Sequence, residues 1–153
     1  EREARGAEEL GVEVTRLRFG IVLGLGGGAL DAMLLPARLG LSGPLGSGEQ
    51  WWSWIHLEDG ARLLMQALDT SMPGAFNATA PSPVRQADFA RALGGVLRRP
   101  AFLPAPALAL KLILGGFSSE LLGSKQVLPE RTRSTGFEFG FTEIEPALHD
   151  LLG

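Results

Sequence analysis

Residues 52–68, WSWIHLEDGARLLMQAL, change their periodicity once. Trp52 to Leu57 alternate as a strand does. Ala61, Leu64, Met65 and Leu68 then recur at the spacing of one helix face. Glu58 or Asp59 is placed to open that helix, with Asp59 as its N-cap. The switch recurs along the chain. VEVTRLRFGIVLG (12–24) is a β-branched, partly alternating strand. The glycine turn 24–28 leads from it into ALDAMLLPARLG, a short helix that Pro36 disturbs. GAFNATA (74–80) is a further strand, and FEFGF (137–141) another. Phe89, Ala92, Leu93, Val96 and Leu97 share a helix face, as do Ile144, Ala147, Leu148, Leu151 and Leu152. Strands that alternate with helices make an α/β chain. GPLGSG (43–48) carries turn chemistry and predicts a hairpin. Residues 1–10 form the tail of a helix with Gly11 as its C-cap.

Size and charge narrow the function classes. One domain, or one and a fraction, is expected from 153 residues, and 45% apolar residues suffice for a core. A net charge of −3 gives no footprint for nucleic acid. The longest apolar run, 100–116, is interrupted by Pro104, Pro106 and Lys111 and is too short for a bilayer, so it is expected to be a buried helix. Without cysteine there is neither a disulfide framework nor a thiolate metal site. A cytoplasmic protein follows as the expectation. The chain opens on EREARGAEELG, which lacks both Met and a cap and reads as a cut inside a helix.

Three motifs compete for a chemical role. Gly24-Leu-Gly26-Gly-Gly-Ala29 fits the dinucleotide fingerprint G-x-G-x-x-A. Arg16 and Arg18 in the preceding strand, Pro36 in the following helix and the lack of an acidic strand end about 20 residues on argue for a plain glycine turn. His56 lies beside Glu58 and Asp59, but no second His or Glu has ligand spacing, so no metal site is expected. A small hydrolase using Ser47 or Ser53 with His56 would lack the G-x-S-x-G elbow. All three tryptophans fall at 51–54. Trp52 and Trp54 share one side of the strand and Trp51 takes the other, so one face can pack while the other lines a cleft or an interface.

The combination GSGEQWWSWIH with NATAP, set among RLRFGIVLG, ADFARALGGVLRRPAFLPAPALAL and SKQVLPERTRSTGFEF, resembles the C-terminal half of an epimerase-like family. Its members are atypical extended short-chain dehydrogenase/reductases, described as NAD(P)-dependent epimerase/dehydratases, some once labelled cell-division inhibitors. The resemblance covers nearly the whole chain. It implies a C-terminal fragment of a Rossmann-type α/β protein, with few strands and a small helical substrate domain. Residues 1–35 would be the remnant of the dinucleotide-binding domain. Residues 36–153 would form the substrate-binding domain, with some elements returning to the Rossmann sheet.

In that superfamily the other half carries the G-x-x-G-x-x-G turn and the Tyr-x-x-x-Lys pair. This chain has no tyrosine, and its two lysines, Lys111 and Lys125, stand in no such motif. The resemblance therefore implies no catalytic residue here, NAD or NADP in the intact protein, no tight cofactor binding by this chain and no activity alone. The loop matching LRFGIVLG passes the nicotinamide, which implicates Gly20, Ile21 and Val22. The segment around SWIHLED packs under the substrate, which implicates Gln50, Trp51, Trp54 and His56. Where nucleotide-sugar epimerases carry a diphosphate-gripping Arg, this chain reads Glu49-Gln-Trp-Trp-Ser, which points to a smaller or more apolar small-molecule substrate. Arg38 is the nearest replacement charge. Apolar surface left by a fragment is expected to drive self-association or domain swapping through residues 1–35. An interaction module using the Trp51–Trp54 patch is the reading from another class.

Overall fold

Gly20 splits what the sequence presents as one strand. β1 (Thr15–Phe19) and β2 (Ile21–Leu23) follow one another with only Gly20 between them, yet they join different partners. β1 pairs in parallel with β5 (Gly74–Ala78), from Thr15 opposite Gly74 to Phe19 opposite Ala78. β2 pairs in parallel with β4 (Trp54–His56), from Ile21 opposite Trp54 to Leu23 opposite His56. A third pair, β3 (Trp51–Trp52) with β6 (Val84–Arg85), is antiparallel. This computed structural model describes residues 1–41, 43–101 and 123–153. The buried helix expected over 100–116 falls, from residue 102 on, outside the described residues.

Helices fill the connections, as parallel pairing requires. α1 (Arg2–Glu9) ends at Leu10, and Gly11 follows with φ of 79°, a left-handed turn that glycine adopts freely. α2 (Gly28–Arg38) carries Pro36 in its last turn and stops two residues later. α3 (Leu57–Asp69) starts straight out of β4. Its N-cap is His56, whose Nδ1 accepts from the Glu58 amide at 3.2 Å. Asp59 is thus not the cap but lies inside the first turn. α4 (Gln86–Val96) and α6 (Ile144–Leu152) pack on one another, while α5 (Glu130–Ser134) lies against β5.

Two apolar clusters result. The larger joins Leu30, Met33 and Leu34 of α2 with Trp52, Trp54, Phe89, Leu93 and Leu148. The smaller gathers Ile55, Leu63, Met72, Phe76 and Phe137 on the other side of β4. The expected faces of α4 and α6 are the packed ones. The expected apolar face of α3 is not: Ala61, Leu64, Met65 and Leu68 are exposed, and Asp59, Gly60 and Leu63 point inward.

Two other expectations change. GPLGSG turns the chain without a hairpin, because the strand pairing with β3 comes from 84–85. FEFGF is irregular chain. Its Gly140 and Phe141 amides donate to Asp59 Oδ1 and Oδ2, each at 2.9 Å, so a carboxylate replaces a neighbouring strand.

Candidate functional site

A cleft of about 920 Å³ opens where β1, β2, β3 and the start of α2 meet. Its floor is built by the break at Gly20. The Gly20 amide donates to Ala78 O at 3.1 Å and the Ile21 amide to Ser53 O at 2.8 Å. A Cβ at Gly20 would overlap the Ser53 carbonyl and sit 2.9 Å from Thr79 Cγ2. Only glycine lets the chain pass from one strand pair to the other this closely. The result is a flat strand edge, with Ile21 and Val22 beside it, open to the cleft.

One wall is Trp51. The Arg85 guanidinium lies 3.9 Å from the centre of its ring and also donates to Glu49 O. Arg85 is the cross-strand partner of Trp51, so the β3–β6 register itself places the cation on the indole. The other wall is a strap, residues 123–128, held by side chains rather than by a regular ladder. Ser53 Oγ donates to Lys125 O and accepts from the Val127 amide, both at 2.8 Å. Asn77 Nδ2 donates to Leu128 O at 3.0 Å and Thr79 Oγ1 to Val127 O at 3.4 Å. The Trp51 amide donates to Ser124 Oγ at 3.1 Å, and the Lys125 amide to Trp51 O at 3.4 Å.

The charge around the cleft is one-sided. Its described lining includes Arg18 and Lys125 and no carboxylate. Arg18 is engaged: its Nε and Nη2 donate to the two oxygens of Glu1 at 2.7 and 2.8 Å. Those hydrogen bonds hold the Glu1 carboxyl down at about 2 and push the Arg18 guanidinium further up.

The residues expected from the sequence divide. Gly20, Ile21, Val22 and Trp51 share this cleft. The amides of Gly20 and Ile21 are spent inside the fold, so contact with a ligand there falls to other backbone atoms and to the flat surface. Gln50 lines a separate, shallower hollow with Leu45 and Ser47, and its Nε2 donates to Leu45 O at 3.0 Å. Trp54 has no exposed surface and donates through Nε1 to Ser82 O at 3.0 Å. His56 is buried and stacks on Phe141 with ring centres 3.8 Å apart. Its Nε2 lies 3.3 Å from Asp150 Oδ2, off the line of a hydrogen bond. Arg38 is exposed near the end of α2. None of Gln50, Trp54, His56 and Arg38 is among the described residues of the main cleft.

The other readings meet this geometry as follows. Ser53 Oγ is committed to the strap and Ser47 Oγ to the Glu49 amide, so among the described residues no Ser–His pair forms. Of the tryptophan patch, Trp52 and Trp54 are buried, and a protein partner could reach Trp51. The glycine turn 26–28 has φ of 90°, 151° and 78°, and a Cβ at any of the three would meet nothing within 4 Å. Sequence reasoning missed Lys125, Ser53 as the clasp of the strap, and Arg85. The one signal for Arg85 was a cation in the strand that follows NATAP, but its cross-strand pairing has no local signature.

A family profile described as "Domain of unknown function (DUF1731)" matches residues 105–151. The mouse protein called epimerase family protein SDR39U1 is 46% identical over 138 residues, which are 89% of this chain and 47% of the mouse protein. An epimerase family protein of Staphylococcus aureus is 42% identical over 153 residues, 99% of this chain and 51% of its own length. The crystal structure of human epimerase family protein SDR39U1 (isoform 2) with NADPH superposes with a TM-score of 0.84 at 42% identity, covering 90% of this chain and 48% of the human one. Thus the chain spans about half the length of the curated relatives it matches. Thermus thermophilus UDP-glucose 4-epimerase, in complex with NAD, shares the fold at a TM-score of 0.71 and 16% identity, covering 99% of this chain and 49% of that one. Among the described residues no helix is long and apolar enough to cross a membrane.

Proposed function

Because the chain is the counterpart of about half of an epimerase-family protein of the extended short-chain dehydrogenase/reductase type, we propose that it forms the substrate-side half of an NAD(P)-dependent epimerase, dehydratase or reductase. The observation that carries this reading is the cleft. It gathers Gly20, Ile21, Val22 and Trp51 on one surface, and its volume of about 920 Å³ lies within the range of small-molecule sites. The residues fit a flat ring. The strand edge at Gly20 carries no side chain, Ile21 and Val22 are apolar, and Trp51 offers an aromatic wall. In this reading Gly20, Ile21 and Val22 hold the nicotinamide end of the cofactor. When bound, that group supplies hydride transfer.

The remaining roles are positional. Trp51, steadied by Arg85, orients the substrate. The strap 123–128 limits entry of water from one side. Residues 1–35 contribute to the dinucleotide-binding domain and 36–153 to the substrate domain, with β5 returning to pair with β1. The Tyr-x-x-x-Lys pair to which the resemblance assigns proton transfer is not in this chain, which contains no tyrosine. The chain by itself therefore binds cofactor weakly and does not turn over. The test is a chimera in which this chain is joined to the remaining half of the S. aureus relative. NADPH binding and NAD(P)-dependent turnover are expected from the chimera and not from the chain. Turnover by the purified chain alone would overturn its assignment as an inactive half.

A further inference from the structure

The chain carries 17 acidic and 14 basic residues, yet the cleft is not lined in that proportion. Among its described lining residues there is no Asp or Glu, and there are two cations. They differ in state. Arg18 already grips both oxygens of Glu1. Lys125 takes part in no ion pair among the described residues. Its backbone, however, is fixed from both sides. Its carbonyl accepts from Ser53 Oγ at 2.8 Å and its amide donates to Trp51 O at 3.4 Å. Two residues on, the Val127 amide returns to the same Ser53 hydroxyl. Lys125 is thus an exposed cation on a pinned backbone in a cleft that Trp51 also lines, and the described residues supply its charge with no partner.

We propose that Lys125 is the cleft's substrate-recognition cation, taking a carboxylate or phosphate on a substrate whose apolar or ring portion lies against Trp51. The proposal rests on the reading of this cleft as the substrate site and adds the chemical class of the substrate. A lysine ammonium is a compact point charge rather than a fork, so it suits one oxyanion and not a bidentate grip. Opposite charge in a partly enclosed site strengthens the contact and makes it sensitive to salt. Arg38, the cation expected from the sequence, is exposed on α2 and not among the described residues of the cleft. Lys125 takes the place that Arg38 was expected to fill.

Phenyl phosphate, benzoate and neutral benzyl alcohol are suitable probes, titrated calorimetrically into the full 153-residue chain and its K125Q, K125R and W51F variants. At least one anion is expected to bind about tenfold more tightly than benzyl alcohol, the scale of one charge-assisted contact. Preference for phenyl phosphate would assign a phosphate, and preference for benzoate a carboxylate. K125Q is expected to lose that advantage and K125R to keep most of it, while W51F weakens all three probes. R133Q removes the same charge from α5, outside the described cleft lining, and is expected to bind as the parent does. Equal binding of all three probes, no binding of any, or anion binding by K125Q at the parent's affinity would each overturn the proposal. K125Q should unfold at the parent's temperature, since Lys125 is exposed and its side chain holds no partner. The two readings fail separately. A chimera without turnover, together with Lys125-dependent anion binding, removes the oxidoreductase half and leaves this site. Turnover with an unchanged KM in K125Q removes Lys125 alone.

Discussion

Asp59 has no exposed surface, yet it organises a segment 81 and 82 residues away in sequence. It accepts from the Gly140 and Phe141 amides and from Arg62, which also donates to Glu138 O. Asp59→Asn puts an NH2 group among donors and leaves at least one loop amide unpaired. A loss of about 2 kcal/mol in urea denaturation is expected, the scale of a buried donor without a partner. Gly20 is constrained by space rather than by charge. In Gly20→Ala the new methyl must push against the Ser53 carbonyl and Thr79, at a cost of about 1–3 kcal/mol typical of overpacking. Because Ser53 also clasps the strap, the same variant in the chimera should bind NADPH more weakly. Unchanged stability and unchanged NADPH affinity would remove Gly20 from the cleft floor.

Elements show which physical signals a sequence carries and which it hides. The expected packed faces of α4 and α6 match the structure because helical spacing of apolar residues is local and their partners are one another. Parity put Trp52 and Trp54 on one side of the strand and Trp51 on the other, and the structure buries the first two and sets Trp51 at the cleft, so Trp54, expected under the substrate, belongs to the core. FEFGF alternates as well, but its backbone partner is a carboxylate, and no pattern within five residues reveals that. The start of α3 was misplaced for a related reason. Asp59 turns toward Gly140 and Phe141, and His56 caps the helix instead. In the candidate site, Gln50, Trp54, His56 and Arg38 were expected and lie outside the described cleft lining, while Gly20 to Val22 and Trp51, which do line it, were legible through the resemblance. Lys125 was not, because three side chains distant in sequence bring its strap to the cleft. That dependence is testable. Ser53→Ala leaves the Val127 amide and the Lys125 carbonyl without their partner. It should destabilise by about 1–3 kcal/mol and speed amide exchange in a peptide spanning 123–128. Unaltered exchange there would mean that Asn77 and Thr79 hold the strap unaided.

At the scale of the whole molecule, the surface is more apolar than its charge count suggests. Along α3, Leu57, Leu64, Met65 and Leu68 stand 50%, 48%, 57% and 74% exposed. Positions i, i+7, i+8 and i+11 form one stripe. Phe19 is half-exposed and lies over Gly60 of the same helix. β1 pairs on one edge with β5, and among the described residues no strand covers its other edge. An apolar stripe and an open parallel edge in one structure ask for a further layer, since parallel strands are normally buried on both faces. Relatives about twice as long have the chain to supply that layer. In a solution of this chain alone, a second copy is what remains to cover the surface. Self-association that grows with concentration is therefore expected in sedimentation velocity. Residues 1–35 offer Leu10, Val12, Phe19 and Leu25 to it, and α3 offers the stripe. The two contributions separate by mutation. Leu64→Glu with Leu68→Glu places two charges on the stripe without touching the inward Leu63. It should shift the distribution to monomer if α3 makes the contact. If the oligomer persists in that variant and yields only when Val12 and Phe19 are made polar, exchange of the 1–35 segment is the route. A monomer at every concentration would show that hydration of these side chains outweighs their pairing.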